Sequence, residues 1–297
     1  MRVVCLHDRE EILRHLERDP YLHIYGIGDL DPFFWPYTTW YGLMEGTSAP
    51  GDDTAAGDDG DHGPSQGIRA IVLVYAGPDL PTVVALSADV RSAAHLLARA
   101  DRLLPARFYA HVSPGLESVL AGTRDLELVA EHLKMALRDP TAVYTVDTSD
   151  VTNLGPLDAA ELRELYDEAY PGNWFDPRML ETGQYFGLRK HGRLVSAAGI
   201  HVYSRQYRVA ALGNIVTHRE FRRRGYGSKV TAAVCRSLAE AGVRIGLNVQ
   251  ANNAGAISTY SKLGFEVSAR YTELTVGGVR PAGGVRPEGG VRPEGGA

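Results

Sequence analysis

Cysteine is scarce in this chain of 297 residues, which contains only Cys5 and Cys235, far apart in the sequence. No Cys-x-x-Cys pair and no cluster of cysteine with histidine occurs, so we expect neither a structural zinc site nor another bound metal. Spacing alone leaves a disulfide open. Two reduced thiols are the favoured interpretation, because disulfides are rare in the cytosol.

Long apolar runs and an excess of positive charge are also missing. No stretch reaches the roughly 20 apolar residues that a membrane-spanning helix requires. Residues 1–19 are charged throughout and lack the apolar core of a signal peptide. The net charge of -5 argues against nucleic acid as a partner. We therefore expect a cytoplasmic protein that binds neither nucleic acid nor membrane.

Two segments have little to bury and are expected to be disordered. Residues 45–67 are rich in Gly, Asp, Ser and Pro and are predicted to lengthen a loop between two strands. Residues 277–297 repeat the pattern GGVRPE with small variations, which predicts a flexible tail. Over the whole chain, 44% of residues are hydrophobic, which is enough for a sizeable core.

Hydrophobic patterning predicts strands interleaved with helices in both halves, which indicates an α/β or α+β fold with mixed sheets and flanking helices. The boundary falls near residue 140, giving domains at 1–140 and 141–276. The predicted helices cover residues 8–18, 90–104, 114–122, 158–170, 227–241 and 254–263. The predicted strands cover residues 68–75, 82–88, 107–111, part of 126–138, 182–189, 194–203, 208–217, 244–249 and 265–276.

The most informative stretch connects the strand ending near Thr217 to the helix beginning near Gly227. The start of a helix offers free backbone N–H groups and the positive end of its dipole, and these favour phosphate. Gly225 and Gly227 lack a Cβ, so a diphosphate can approach the backbone closely. Three arginines add positive charge: Arg222, Arg223 and Arg224. The loop therefore predicts a site for a phosphate-bearing ligand.

The pattern Arg222-x-x-Gly225-x-Gly227 resembles the acyl-CoA signature Q/R-x-x-G-x-G/A of the GNAT superfamily of N-acetyltransferases. Downstream, Leu247–Phe265 resembles the second block of that superfamily, L-x-V-x-x-x-N-x-x-A-x-x-x-Y-x-K-x-G-F. The resemblance covers about residues 153–275. Within the superfamily, the amino-acid sequences of Leu212–Thr217 and Ile245–Val249 are similar to those of the glycine N-acyltransferase-like branch.

The resemblance implies an acyl-CoA-dependent N-acyltransferase, most simply an acetyltransferase, which moves the acyl group directly to an amine within a ternary complex. Acetyl-CoA or another acyl-CoA would be the cosubstrate. Strand 209–217 would diverge from strand 244–249 and open a slot for the pantetheine arm. The cofactor-binding residues so implied are Ile215, Val216, Thr217, Arg222, Arg223, Arg224, Gly225, Tyr226, Gly227, Ser228, Asn253 and Tyr260.

Tyr260 would also protonate the leaving thiolate as a general acid. Each implied role has a structural alternative. Asn253 is a favoured N-cap for the helix that follows it, and both roles are compatible. Tyr260 could serve core packing, and the arginines could be a solvated charge run.

The general base is not identified clearly by the sequence. His201 is a candidate because histidine titrates near neutrality, although histidines in strands are more often structural. Asn214 could hold a water molecule, and His218 follows the same strand. The acceptor is expected to be a small-molecule amine or amino acid, with a protein amine as an alternative. Its pocket is predicted at residues 170–175 and 179–185, which are rich in aromatic side chains.

The N-terminal half has a similar order of elements and is interpreted as a second, degenerate copy of the fold, in tandem with an intact C-terminal copy. Its counterpart of the phosphate loop, residues 88–97, contains no glycine, so we predict that this half does not bind CoA. The aromatic stretch Asp31–Tyr41 is expected to pack in the core, to contact the C-terminal domain or to wall the acceptor site.

The sequence leaves two other functions open. A non-catalytic sensor could bind acyl-CoA and signal through the N-terminal half, and turnover would distinguish it from an enzyme. A dinucleotide-dependent oxidoreductase is weaker, because its fingerprint needs Gly-x-Gly-x-x-Gly after the first strand. Here the glycine loop lies late in the chain and is strongly basic.

Overall fold

The computed structural model describes residues 1–45, 67–77 and 79–279. The described strands are β1 (Arg2–Leu6), β2 (Thr38–Met44), β3 (Ile68–Tyr75), β4 (Thr82–Ala85), β5 (Phe108–Val112), β6 (Arg124–Leu137), β7 (Val151–Asn153), β8 (Phe186–Lys190), β9 (Arg193–Ser204), β10 (Val209–Thr217), β11 (Arg244–Gln250) and β12 (Phe265–Val279). The described helices are α1 (Arg9–Leu16), α2 (Ile24–Asp29), α3 (Val90–Ala100), α4 (Glu117–Ala121), α5 (Thr141–Tyr144), α6 (Ala159–Ala169), α7 (Tyr226–Glu240) and α8 (Ala254–Lys262).

The described strands form one mixed sheet of 12 strands in the order β1-β2-β3-β4-β5-β12-β6-β11-β10-β9-β8-β7. Within it, β4 pairs with β5 and β10 pairs with β11 in parallel, and the other pairs are antiparallel. Counted inward from either edge of the sheet, the first three pairs of neighbouring strands are antiparallel and the fourth pair is parallel. The two halves of the sheet therefore have the same arrangement. The predicted α/β architecture of two similar copies is thereby confirmed.

The two copies exchange their last strands. β6, from the first half, lies between β11 and β12, and β12, from the second half, lies between β5 and β6. The pairing is extensive, since β6 and β12 are matched from Phe265–Leu137 to Val279–Arg124. Each half of the sheet is therefore completed by a strand from the other half.

Helices cover the sheet through apolar stripes. In α3, the buried residues Ala93, Leu96, Leu97 and Ala100 recur at helical spacing and pack in the core of the first half. In α7, Val230, Val234 and Leu238 do the same in the core of the second half. A third core joins the halves, because α1 and α2 share it with β2 and β3 and with Val202, Val209 and Ala211 of β9 and β10.

Several elements differ from the sequence prediction. The predicted strand 182–189 begins only at Phe186, because Pro177–Thr182 forms a 3-10 helix that ends at Gly183 in the left-handed region. The predicted tail at 277–297 starts too early, because Gly277 to Val279 continue β12. The strands β1, β2 and β7 and the helices α2 and α5 were not predicted.

The predicted loop insertion between two strands is confirmed at its ends. The strands β2 and β3 are antiparallel neighbours, and the Glu45 amide donates to the Gly67 carbonyl at 3.4 Å. The other residues of that segment, 46–66, and residues 280–297 of the predicted tail lie outside the described residues.

Candidate active site

β10 and β11 diverge as predicted. Their parallel pairing runs from Val209–Arg244 to Leu212–Leu247 and stops there, although β10 continues to Thr217 and β11 to Gln250. On its other side, β10 stays paired with β9 through Thr217. Beyond Leu212, the edge of β10 that faces β11 has no strand partner among the described residues, although the Thr217 carbonyl accepts from Nε of Arg222. The backbone around Ile215, Val216 and Thr217 is therefore open to an extended ligand arm.

A β-bulge in β10 lies at the mouth of this slot. The register with β9 shifts between Gly213 and Val216, and Asn214 adopts a left-handed φ of 55°. The Tyr166 hydroxyl donates to the Asn214 carbonyl at 3.0 Å, and the buried Ser196 hydroxyl donates to the Val216 carbonyl at 2.9 Å. Both contacts hold the irregular backbone in one shape.

His201 and Asn214, two of the predicted catalytic residues, contact each other. Nε2 of His201 lies 3.0 Å from Oδ1 of Asn214. The Asn214 amide nitrogen donates to the Tyr185 hydroxyl at 2.8 Å and to Sδ of Met179 at 3.7 Å. Because the buried Asn214 side chain is engaged on both its oxygen and its nitrogen, its position suits orienting His201 better than holding a water molecule.

The surroundings of His201 favour a neutral imidazole. Burial lowers its pKa, although the hydrogen bond to Asn214 and the charge of Glu273 act in the opposite direction. The ring lies against Gly213, where a Cβ would come within 2.3 Å of it, and edge-to-face with Trp174 at 6.2 Å. Trp174 belongs to the predicted acceptor segment, so His201 lies between that segment and the slot.

The loop for which the sequence predicts phosphate binding, residues 222–228, leads directly into α7. Gly225 is the N-cap of α7 with a left-handed φ of 80°, and no atom lies within 4 Å of the position a Cβ would take. Lys229 is the first residue of this turn whose amide makes a helical i to i−4 hydrogen bond. It donates to the Gly225 carbonyl at 3.1 Å. Within the described chain, the amides of residues 223–228 donate no hydrogen bond.

The basic side chains around this loop divide into paired and available ones. Lys229 is neutralised by Asp150 at 2.8 Å and Asp147 at 3.3 Å. By contrast, none of Arg222, Arg223 and Arg224 forms an ion pair with a described residue; the Arg222 Nε instead donates to the Thr217 carbonyl at 3.1 Å. The loop thus combines unsatisfied amides with free guanidinium charge, which suits a diphosphate.

Asn253 and Tyr260 lie on the other side of the slot, Asn253 as the N-cap residue of α8 and Tyr260 within that helix. Oδ1 of Asn253 accepts from the Ala256 amide at 3.1 Å, so the predicted capping role is confirmed. Tyr260 is 8% exposed, packs against Phe265, and forms no hydrogen bond through its hydroxyl with a described residue. Burial raises its pKa, and Tyr170 and Cys235 add to that effect, so the phenol is protonated at neutral pH.

The corresponding slot of the first half is closed. β4 and β5 pair from Thr82–Tyr109 to Ala85–Val112, and beyond them the Ser113 amide donates to the Ala85 carbonyl at 3.0 Å. At the start of α3, the Asp89 carboxylate accepts from the Ser92 amide at 3.1 Å. A carboxylate of the chain therefore occupies the place that corresponds to the loop before α7 in the second half.

Sequence reasoning missed a row of polar residues where the exchanged strands meet, here called the seam cluster: Tyr109, His111, His132, Lys134, Tyr271 and Glu273. Strand pairing brings Glu273 opposite His111 and Tyr271 opposite His132. The Glu273 carboxylate accepts from the hydroxyls of Tyr109 and Tyr271 and lies 3.4 Å from Nε2 of His111. The sequence did contain a signal for this cluster, because a pair of polar residues spaced two apart occurs in each of the strands β5, β6 and β12.

The aromatic stretch of the first half contacts the second half. The Ser204 hydroxyl of β9 donates to the Asp31 carboxylate at 2.7 Å. The Arg178 guanidinium lies 5.8 Å from the Phe33 ring centroid. Contact with the C-terminal half is thereby confirmed for this stretch, and Trp40 within it is buried in the shared core.

Residues 153–265 match the acetyltransferase (GNAT) family. This part of the chain is a GNAT acetyltransferase domain, and its bounds enclose the slot, the phosphate loop, Asn253 and Tyr260.

Similar solved structures extend over nearly the whole chain. A tandem GNAT protein from the clavulanic acid biosynthesis pathway is 16% identical with a TM-score of 0.53, covering 92% of this chain and 97% of its own. A GCN5-related N-acetyltransferase from Sphaerobacter thermophilus is 14% identical with a TM-score of 0.54, covering 94% and 96%. A GNAT-family acetyltransferase from Colwellia psychrerythraea is 12% identical with a TM-score of 0.53, covering 93% and 99%. At such identities the likeness concerns the fold. No curated protein matches the chain.

Three further observations bear on the sequence predictions. Among the helices that the structure describes, none combines the length and apolar character needed to cross a membrane. Both cysteines are free, with Cys5 exposed and Cys235 buried. The described residues also include no group of three or more His, Cys, Asp or Glu side chains arranged to hold a metal ion.

Proposed function

We propose that the chain is an acyl-CoA-dependent N-acyltransferase that moves an acyl group, most simply acetyl, from CoA to a small-molecule amine or amino acid. The observation that carries this proposal is the junction of two features: a slot between diverging strands and a helix start whose amides have no partner among the described residues. The first suits the pantetheine arm and the second suits the diphosphate. The family match of residues 153–265 supports the same reaction class.

The proposed binding mode assigns each cofactor residue a task. Backbone groups of Ile215, Val216 and Thr217 pair with the pantetheine arm. The amides from Arg223 to Ser228, including those of Arg224, Gly225, Tyr226 and Gly227, hold the diphosphate with help from Arg222. The Asn253 side chain keeps its Nδ2 free for the arm while its Oδ1 caps α8. An amide N–H near Val216 polarises the thioester carbonyl.

The proposed reaction is direct transfer. The amine nitrogen attacks the thioester carbonyl, an N–C bond forms and the C–S bond breaks. The proton released by the amine goes to Nδ1 of His201, and the leaving thiolate takes a proton from the Tyr260 hydroxyl. Nδ1 suits this task because it has no hydrogen-bond partner among the described residues, while Nε2 faces Asn214.

The position of Tyr170 and Trp174 supports placing the acceptor above His201. Both side chains are about half exposed at the end of α6 and in the segment after it. The similarity at Leu212–Thr217 and Ile245–Val249 to the glycine N-acyltransferase-like branch supports a small acceptor. No nucleic acid or membrane partner is proposed.

The test is thiol release from acetyl-CoA with a panel of amines and amino acids, with mass spectrometry of the acylated product. Tyr260→Phe is expected to lower kcat about 100-fold or more, because a general acid contributes on that scale, while KM for acetyl-CoA changes little. Tyr144→Phe, at an exposed tyrosine of α5, is the control and should have the same kcat as the parent. An absence of N-acylated product across the panel would refute the proposal.

A further inference from the structure

Beside the slot, β6 carries a buried ammonium that the proposed mechanism does not use. Lys134 is 3% exposed, and its Nζ donates one hydrogen bond, to Oδ1 of Asn248 at 3.3 Å. Its other contacts are with the rings of Tyr25 and Tyr271, whose centroids lie 5.0 and 5.4 Å away. No described carboxylate lies within ion-pair distance of this nitrogen. A buried charge without a counterion is costly, so this position can accept an anion.

Glu273, the carboxylate of the seam cluster, is engaged elsewhere. Its oxygens already accept from two tyrosine hydroxyls of the cluster. On β12, the register partner of Lys134 is Ala269, which is four residues from Glu273. Burial lowers the pKa of Lys134 to about 8, although the charges of Glu273 and Asp19 act in the opposite direction. At pH 7, Lys134 is therefore mainly protonated and available to an anionic ligand.

Asn248 adds a second donor beside this ammonium. Because Nζ of Lys134 can only donate, the Asn248 oxygen is the atom that faces it. The Nδ2 of Asn248 has no hydrogen-bond partner among the described residues, and the side chain is half-buried. An ammonium and one amide together carry a single positive charge, which matches a carboxylate better than a phosphate dianion.

Strand pairing places these donors at the point where β10 and β11 part. Asn248, the register partner of Lys134, follows Leu247, the last residue of β11 that pairs with β10. On β10, Gly213 is the first residue beyond the paired segment. The ring of His201 lies against Gly213, where a Cβ would come within 2.3 Å of it. The ammonium and the proposed base therefore flank the opening of the slot from opposite sides.

Both groups also lie on the face of the sheet that α2 covers. Gly246 of β11 faces α2, since a Cβ there would lie 2.6 Å from Cδ1 of Ile24, and Asn248 is two residues further along the strand. On β10, Ala211 packs in the core shared with α2, and Gly213 is two residues further along. One ligand on this face can thus contact the proposed base and the ammonium together.

The separation of the two groups sets the length of that ligand. His201 lies over β10, whereas Nζ of Lys134 reaches from β6 toward Asn248 of β11. Neighbouring strands lie about 4.8 Å apart, so the gap is between one and two strand spacings and widens with the slot. An α-amino acid joins its amine to its carboxylate through two bonds of about 1.5 Å each, which is too short to reach both groups.

We propose that the acceptor is an ω-amino acid, whose carboxylate binds Lys134 and Asn248 while its amine reaches His201. The ligand class is an unbranched amino acid with several carbons between its two ends. The N-terminal half then contributes to specificity, since Lys134 belongs to β6 and Tyr25, which lies over it, belongs to α2. This inference rests on the proposed acyl transfer.

The test compares 5-aminopentanoate with its neutral amide, 5-aminopentanamide, as acceptors for the full chain with acetyl-CoA at pH 7. The acid is expected to have a kcat/KM at least about 10-fold higher, because only the carboxylate forms a charge-assisted pair. Lys134→Met should reduce that ratio to about 2-fold or less while the amide keeps its kcat. Lys262→Met, at an exposed lysine of α8, is the control and should keep the parent ratio. In the parent, glycine and glycinamide should show no comparable preference.

The two proposals fail separately. Product from other amines, together with equal kcat/KM for the acid and its amide, would overturn the acceptor inference alone. A ratio that survives Lys134→Met, or a larger preference in the glycine pair than in the longer pair, would also overturn it. An absence of product from every amine would refute the proposed function, and calorimetric titration of the acid and the amide into the chain then applies the same ratio to binding.

A second variant keeps the inference testable should Lys134→Met not fold, as judged by circular dichroism. Asn248→Ala removes the uncharged donor and should lower the acid-to-amide ratio at least about 3-fold. An unchanged ratio in that variant would overturn the inference.

Discussion

Nε2 of His201 lies 3.0 Å from Oδ1 of Asn214, and this contact sets the proton on the imidazole. The Asn214 amide nitrogen is committed to the Tyr185 hydroxyl, so the oxygen is the atom that faces the ring. An amide oxygen only accepts, and Nε2 must therefore carry the hydrogen. The lone pair is left on Nδ1, where a general base needs it.

His201→Gln should lower kcat about 100-fold, because a positioned base contributes on that scale, with little change in CoA affinity. In the parent, the acid limb of kcat/KM should lie below pH 6.5, because burial lowers the pKa of His201 and the base works only when neutral. Steady-state kinetics from pH 5 to 8 measure both. His95→Gln, at an exposed histidine of α3, is the control, and an acid limb above pH 6.5 would contradict the assignment.

Gly225→Glu should abolish CoA binding, because a carboxylate would enter the phosphate loop. Gly242→Glu is the matched control: that glycine lies just beyond the other end of α7, has a left-handed φ of 68°, and likewise has open space at its Cβ position. Both variants should lose about 1 kcal/mol of stability from backbone strain. Only Gly225→Glu should lose the rise in melting temperature caused by CoA, and equal loss in both would contradict the loop assignment.

The slot and the phosphate loop were predictable because their signals are local. A glycine that must adopt a positive φ, arginines beside it and a helix start occupy six consecutive residues, from Arg222 to Gly227. The divergence of β10 from β11 followed from the family resemblance. Even so, the engaged side chain of Asn214 was not predicted, because it depends on Tyr185 and Met179, which are distant in sequence.

The pairing of β6 with β12 was not predictable in the same way. β6 and β12 are separated by more than a hundred residues, and their pairing depends on both copies being present. The sequence placed β6 in the first half and β12 in the second without indicating that each strand completes the other sheet. The same limitation hid Glu273, whose partners Tyr109 and His111 come from the first half.

Acid should destabilise the protein in the range of pH 6.5 to 5. Burial lowers the pKa of five histidines, to about 4 in His111 and to about 3 in His23. Because an unfolded histidine titrates near 6.5, the unfolded state binds more protons below that pH, and stability falls as pH falls. Asp29, whose pKa is raised, acts in the opposite direction but is a single group.

Melting temperatures from pH 7.5 to 5 measure this effect. His111→Gln should flatten the decline by removing one buried histidine, whereas His95→Gln, at an exposed position, should not change it. A melting temperature that is constant or rises toward pH 5 would contradict the neutral state assigned to these histidines.

Because the halves exchange strands, neither should fold well alone. A fragment of residues 141–297 would lack β6 and leave β11 without its antiparallel neighbour, exposing backbone groups along Gly246 to Gln250. A fragment of residues 1–140 would likewise lose the β12 partner of β5. Expressed separately, each should aggregate and show no melting transition stabilised by CoA. Co-expressed, they should form a 1:1 complex that regains the transition, and size-exclusion chromatography with thermal unfolding measures this outcome. A monomeric fragment 141–297 that binds CoA as tightly as the full chain would show that the exchanged strands are dispensable.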